Sequence, residues 1–222
     1  VRCMESYDQR LKLESKLVVL PPAVEVTTLD VSGNKERMYD YELKMESVIA
    51  KELKTILEQK GFFAKILTRR EIYEKGLTQT IEVLRDSYHH IREELYAQPL
   101  WDKDKASKIS NKITQGLKGI TDAPFVVFVD YVGVSKTTGS KLLETAMNMF
   151  GLGKGEYADA NVMILGIADS STGEIVWMNM SRMANGMVGS MWDAMLSDEE
   201  VDSNIAKTLI NKILDNLNLR EN

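Results

Sequence analysis

Few residues in this 222-residue chain have the type and spacing to do chemistry. Gly133–Lys141 (GVSKTTGSK) follows an apolar run and combines glycines, hydroxyls and lysines as a phosphate cradle does. A P-loop needs four residues between its glycines and a lysine directly after the second, so that amides and ammonium converge on the phosphates. Here five residues separate Gly133 from Gly139, and Ser140 stands before Lys141. Gly151–Gly155 (GLGKG) follows a helical pattern rather than a strand and lacks the third glycine at dinucleotide spacing. It reads as a loop. The two histidines, His89 and His90, are adjacent. On a helix they point about 100° apart and cannot share an ion as an i, i+4 pair can. The single cysteine, Cys3, lies far from them in sequence and gives no Cys–His dyad, and no G-x-S-x-G elbow occurs. Asp130 stands inside a strand-like run, apart from the carboxylates on solvated helix faces. It is either a catalytic acid or a strand acid that faces solvent or pairs with Lys or Arg. These patterns imply no metal and no cofactor, and the chain is expected not to be an enzyme.

Composition sets the frame. Hydrophobic residues make up 44% and charged residues 27%, ordinary values for a globular chain. A net charge of −5 argues against a nucleic-acid partner, which needs a basic face. One cysteine allows no intramolecular disulfide, and a domain of this size does not depend on one. That fits the cytosol or a bacterial periplasm.

Residues 1–15 are polar and read as a tether. Lys16–Leu20 (KLVVL), closed by Pro21-Pro22, predicts a buried strand that Val24–Val31 extends. Asp40–Lys60 predicts an amphipathic helix stopped by Gly61. Phe62–Leu67 returns as a strand, parallel to the first in a βαβ unit. Thr68 caps a short helix ended by Gly76, and a longer helix spans Thr78–Ala97. Asp102 or Asp104 caps a further helix, with Ile109, Ile113 and Leu117 on its apolar line. Ala123–Val134 and Asn161–Ala168 read as strands. Asp169–Gly173 (DSSTG) holds hairpin turn residues, and Glu174–Ser181 returns antiparallel. Val201–Leu219 predicts a last helix capped by Ser203 or Asp202.

The methionines are clustered. Met147, Met149, Phe150 and Leu152 lie between the third and fourth strands; Met183, Met187, Met191, Trp192 and Met195 lie after the fifth. They are either short core helices or an adaptable protein-binding surface, because the thioether repacks easily. If the last three strands form a meander, both Met-bearing segments leave from one end of the sheet. Their glycines (Gly133, Gly139, Gly151, Gly153, Gly155, Gly186, Gly189) suit loops. Met147, Met149, Phe150, Leu152, Met183, Met187, Met191 and Trp192 are the interface candidates.

The opening LVVLPP, the K-G-F after the first helix, DAPFVVFVDYVGV and ADANVMILGIADSSTGEIVWMNM resemble bacterial envelope lipoproteins of the CsgG, TolB N-terminal domain and LpoB type. The hairpin carries most of this, with Asp169, Thr172, Gly173, Glu174, Val176 and Trp177 matching the family pattern. The resemblance covers Leu17–Leu67 and Asp122–Leu217. Residues 78–119 then read as a helical addition and 133–160 as a Gly/Met-rich insert. It implies a non-catalytic subunit of a periplasmic or outer-membrane assembly, such as a type IV secretion core, with other envelope proteins or copies of itself as partners. The location implied is the periplasm, with attachment to the outer membrane if Cys3 carries lipid, although Arg2 departs from the lipid-site pattern. A monomeric regulator docking on a cell-wall synthase or transport complex is the second reading, and a small nucleotide-binding enzyme or hydrolase the third. The expected fold is one α/β (α+β) domain, residues 16–222. It has a mixed sheet of about five strands, a βαβ start, a C-terminal hairpin and a packed C-terminal helix.

Overall fold

A computed structural model describes residues 2–3, 11–12, 15–29, 35–97, 112–113, 117–136, 160–184, 198–215 and 217. The strands are β1 (Arg2–Cys3), β2 (Lys16–Val19), β3 (Ala23–Leu29), β4 (Lys35–Arg37), β5 (Phe63–Ile66), β6 (Phe125–Lys136), β7 (Ala160–Asp169) and β8 (Ile175–Ala184). The helices are α1 (Tyr39–Gln59), α2 (Arg69–Glu74), α3 (Thr78–Ala97) and α4 (Asp198–Leu214). One mixed sheet runs in the order β1-β8-β7-β6-β2-β5, with β3 beside β6 and β4 beside β3. The single mixed α/β domain of the sequence reading stands; beside the about five expected strands, the described residues add short ones, for eight in all.

Pro21 and Pro22 do not end the first strand's course. β2 pairs in parallel with the first half of β6 (Val19 opposite Val127), and β3 pairs in parallel with its second half (Ala23 opposite Asp130). Four residues on one side thus span three on the other, which is a bulge at the proline pair. Proline fits there because it has no N–H to give a ladder. β2 is also parallel to β5, as the βαβ reading requires.

The period-2 alternation of β6 separates two cores. Phe125, Val127, Val129 and Tyr131 face the cluster closed by α1 and α4, with Met45, Ile49, Leu53, Leu209 and Ile213. Val126 and Phe128 face a second cluster, closed by α3 through Ile81, Leu84, Tyr88, Ile91 and Leu95. α3 is therefore the second cover of a three-layer fold rather than an appendage. α1 and α4 share the first face, as expected.

Local chemistry sets the boundaries. Gly61 and Gly76 adopt φ of 89° and 65° and stop α1 and α2, where a Cβ is disfavoured. Thr68 caps α2 in a capping box with Glu71. α4 begins earlier than expected, so Asp202 and Ser203 are interior residues rather than caps. They reach across to α1: Asp202 accepts a hydrogen bond from the Tyr41 hydroxyl and forms an ion pair with Lys44 at 2.8 Å, and Ser203 donates to Glu52 at 2.8 Å. The expected tether touches the fold where it is described, with Leu11 fully buried in the first core and Arg2–Cys3 paired with Met178 and Trp177. The helix expected around Ile109–Leu117 falls mostly outside the described residues. Within them, Lys112 forms an antiparallel bridge to Glu174, and Leu117–Gly119 is one 3-10 turn.

Candidate binding surface at the end of the sheet

The meander forms as the sequence implies. Val134 stands opposite Ala160, and Ala160 opposite Ala184. The last residues of β6, the first of β7 and the last of β8 therefore share one edge of the molecule. Met147, Met149, Phe150, Leu152, Met187, Met191 and Trp192 lie outside the described residues. Met183 is described and is corrected: it is 7% exposed and packs in the first core, because its odd register on β8 turns it toward α1 and α4. Gly133 is also reassigned. It lies inside β6, not in a loop, paired with Val26 and Asn161. An added Cβ would sit 3.1–3.2 Å from the Tyr131 ring and Asn161 Oδ1, so the glycine leaves room for the Tyr131–Asn161 hydrogen bond of 2.6 Å. Burial pushes the Tyr131 pKa far above its ordinary value, with Asp202 adding to it, so the hydroxyl remains a donor.

The α3 face of the sheet changes character along β6. Near the hairpin it is dry. Tyr88 stacks on Phe128, with centroids 4.6 Å apart and planes 12° apart. The ring occupies space opened by Gly166, where a Cβ would come within 2.6 Å of it. One step further stands Asp130, 6% exposed. Arg92 donates to its Oδ2, and His89 Nε2 lies 3.1 Å from its Oδ1. Arg85, beside them on α3, donates to the Pro21 carbonyl at the bulge. Burial lowers the Arg85 pKa from its usual value, yet a guanidinium keeps its proton. Asp130 is thus a strand acid paired with arginine, held between sheet and helix. Beyond it no described element covers this face. Ile164, opposite Asp130, is half-buried; Met180, opposite Ile164, is 44% exposed; Val132 is 43% exposed.

Other exposed apolar side chains gather at the same end. Met38 donates its N–H to the Val26 carbonyl at 2.9 Å, and Val26 is level with Gly133. Met38, Tyr39 and Leu43, at the start of α1, are exposed, and Arg37 lies 5.0 Å over the Tyr39 ring. Glu42 holds this corner. It accepts from the Val26 N–H at 3.0 Å and from Arg37 at 2.7 Å, and the Arg37 hydrogen bond draws its pKa below the ordinary 4.5. No spacing rule in the sequence marks these residues as a group, because they meet only through the β3–β6 pairing.

The hairpin is fastened instead. Asp169 Oδ1 accepts from the N–H groups of Ser171 and Thr172 at 2.8 and 3.1 Å. Ser170 donates twice to the β6 approach, from its N–H to Pro124 and from its hydroxyl to Ala123, each at 2.8 Å. A bulge at Val176, between the pairs Ile167–Trp177 and Ala168–Ile175, sends both Val176 and Trp177 into the first core. The aliphatic–Trp pair is therefore a packing device.

Among the described residues, no cluster of three His, Cys, Asp or Glu side chains could hold a metal ion. No described helix is long and apolar enough to cross a membrane. No protein-family model matches the chain, and no curated protein does. Solved structures align at low identity. The PelC dodecamer from Paraburkholderia phytofirmans shares 14% identity at a TM-score of 0.43, over 95% of this chain and 92% of that one. Lipoprotein GNA1162 from Neisseria meningitidis shares 11% at 0.41, over 90% and 99%. The LpoB C-terminal domain from Salmonella enterica shares 11% at 0.29, over 82% and 96%. At these scores the likeness carries no functional assignment.

Proposed function

We propose that this chain is a non-catalytic subunit of a bacterial envelope assembly, binding other envelope proteins or copies of itself through the open end of its sheet. One observation carries the reading. The β6 exit, the β7 start and the β8 exit share one end, and exposed Val132, Met180, Met38, Tyr39 and Leu43 gather there. Val132 and Met180 lie on the α3 face and Met38, Tyr39 and Leu43 at the start of α1 on the other, so exposed apolar side chains flank this end on both faces, as they do at interaction sites. The buried carboxylates near it, Asp130, Asp202 and Glu42, are each engaged by a basic side chain, which suits a scaffold. The envelope part rests on the resemblance of DAPFVVFVDYVGV and the hairpin to envelope lipoproteins. PelC is a dodecamer in its crystal and GNA1162 a lipoprotein; a ring and a Cys3 anchor come to this chain as proposals.

The test is light scattering after size exclusion, with a pull-down from native membranes. The chain should run as a discrete oligomer or retain a stable partner. Val132→Glu with Met180→Glu should abolish that state while circular dichroism stays unchanged. Tyr39→Ser with Leu43→Ser should weaken it from the neighbouring corner. Assembly that persists in the folded variants sinks the reading. A nucleotide that raises the melting temperature by several degrees would favour the enzyme alternative.

A further inference from the structure

The opposite edge of the sheet has a site of different chemistry. β5 ends the strand order, with β2 on one side and no described strand on the other. Phe63 donates its N–H to Ser15 at 3.1 Å and Leu67 to Val19 at 2.9 Å. Backbone groups alternate in direction along a strand, so the N–H and C=O of Ala64 and Ile66 point away from β2. Such an edge is a template for another extended chain. Beside it, on the α3 face, a groove of about 770 Å³ runs between β5, the Lys75–Leu77 turn and the loop before β6. Four lysines line it: Lys16, Lys65, Lys75 and Lys118. Lys65 lies 3.4 Å from Glu71; for the other three no carboxylate lies within ion-pair distance among the described residues. The lining carboxylates are Glu58, which lies 3.7 Å from Lys54, and Asp122. The lining is therefore net positive in a chain whose own net charge is −5. Phe63, 61% exposed, adds an open aromatic face beside the lysines.

The geometry points to an acidic, extended segment of a partner protein that adds to the β5 edge and lays its carboxylates in this groove; we propose this as a second binding site. The pattern recognised follows from the pleat. Side chains of an added strand alternate between faces, and those on the α3 side stand next to Phe63 and Lys65. The segment therefore carries Asp or Glu at every second position. The residues between them are apolar and pack beside Ala64 and half-buried Ile66, which belong to the first core. Backbone pairing supplies the register, and the lysines select charge. A small anion would use the lysines and leave the edge unpaired.

Fluorescence anisotropy with a labelled peptide of alternating Glu and Val tests the site on the full chain. Binding should weaken at least about fivefold between roughly 0.05 and 0.3 M salt, as exposed charge pairs do. Lys16→Glu with Lys65→Glu should weaken it roughly tenfold or more, and Lys16→Arg with Lys65→Arg should restore it. A peptide N-methylated at alternate residues, so that it cannot pair with Ala64 and Ile66, should lose binding to a similar extent. Equal binding of the methylated peptide, or full competition by free polyglutamate of matched charge fixed in a helix, would overturn strand addition. Equal binding of a Lys/Val peptide would overturn charge selection. Because the β5 groove and the open end are separate surfaces, the light-scattering state should be unchanged in the lysine variants.

Discussion

The two ends of β6 are built for different purposes. At the hairpin end the turn's polar groups are spent on closure. Ser170 fixes the turn to Pro124 and Ala123, Asp169 collects the turn N–H groups, and Ile113 donates to Gly173 at 2.8 Å. At the other end the same strands lose their cover, and Val132 and Met180 meet solvent. Asp130 marks the boundary. On the α3 face, the residues before it on β6, Val126 and Phe128, are buried under α3, and the next one on that face is exposed Val132. A charge at this point ends the dry core with its own carboxylate oxygens engaged by Arg92 and His89 of α3. The difference teaches that the sheet's most recognisable sequence, the DSSTGE turn, is structural, while its bland apolar positions beyond Asp130 are available for binding.

Substitutions can break this contrast, beginning at the boundary. Asp130→Ala leaves Arg92, 20% exposed, with only the exposed Glu93 carboxylate at 3.6 Å. Removing one member of a buried pair costs about 3 kcal/mol or more, so chemical denaturation should show the largest loss here. Asp130→Asn should cost less, since it keeps one acceptor oxygen for Arg92. If Asp130→Ala is neutral, the pair does not anchor α3. Gly173→Ala comes next. Gly173 has φ +77°, and its Cβ would lie 2.3 Å from the Ile113 carbonyl oxygen. Left-handed strain and a displaced strap together should cost about 2–3 kcal/mol in the same assay. A smaller value would mean that the closed end tolerates looseness, and the contrast would fade.

Glu42 carries a pH-dependent effect at the open end. Its folded pKa lies below the ordinary 4.5, chiefly through the Arg37 hydrogen bond. A depressed carboxylate stabilises the fold fully above its unfolded pKa and loses that contribution as pH falls through the folded value. Acid unfolding followed by tryptophan fluorescence should therefore steepen below about pH 4.5 in the native chain. Glu42→Gln should lower stability at neutral pH by less than either substitution above and flatten that acid limb. An unchanged limb would assign it to other carboxylates.

Much of this architecture is legible in the residues. Gly61, Gly76 and the Thr68–Glu71 box stop and start helices through local backbone chemistry, which sequence carries directly. The meander follows from three apolar runs and a turn. Other features are non-local. Pro21-Pro22 reads as the close of one run that Val24–Val31 extends, and only the β6 register shows that the extension passes through a bulge. Asp202 and Ser203 look like caps because of their type; their partners, Tyr41, Lys44 and Glu52, lie more than 150 positions away. Met183 belongs by sequence to the Met-rich set and by strand parity to the core. α3 looks additional because the resemblance skips it, yet its 3/4 apolar line already requires a face to cover.

The sharpest form of the contrast lies within two residues of β8. Met178 and Met180 share the α3 face, and Met178 is fully buried while Met180 is 44% exposed. Met180→Glu should change unfolding free energy by no more than about 0.5 kcal/mol, as surface positions do. The same substitution, paired with Val132→Glu, should remove assembly in light scattering. A position that is nearly silent for stability and decisive for association has no place in a core. If Met180→Glu instead destabilises the chain as a core substitution would, by about 2 kcal/mol or more, the end beyond Asp130 is covered in the native molecule. The two ends of β6 would then be alike, and the binding surface would have to be sought on the lysine-lined β5 edge.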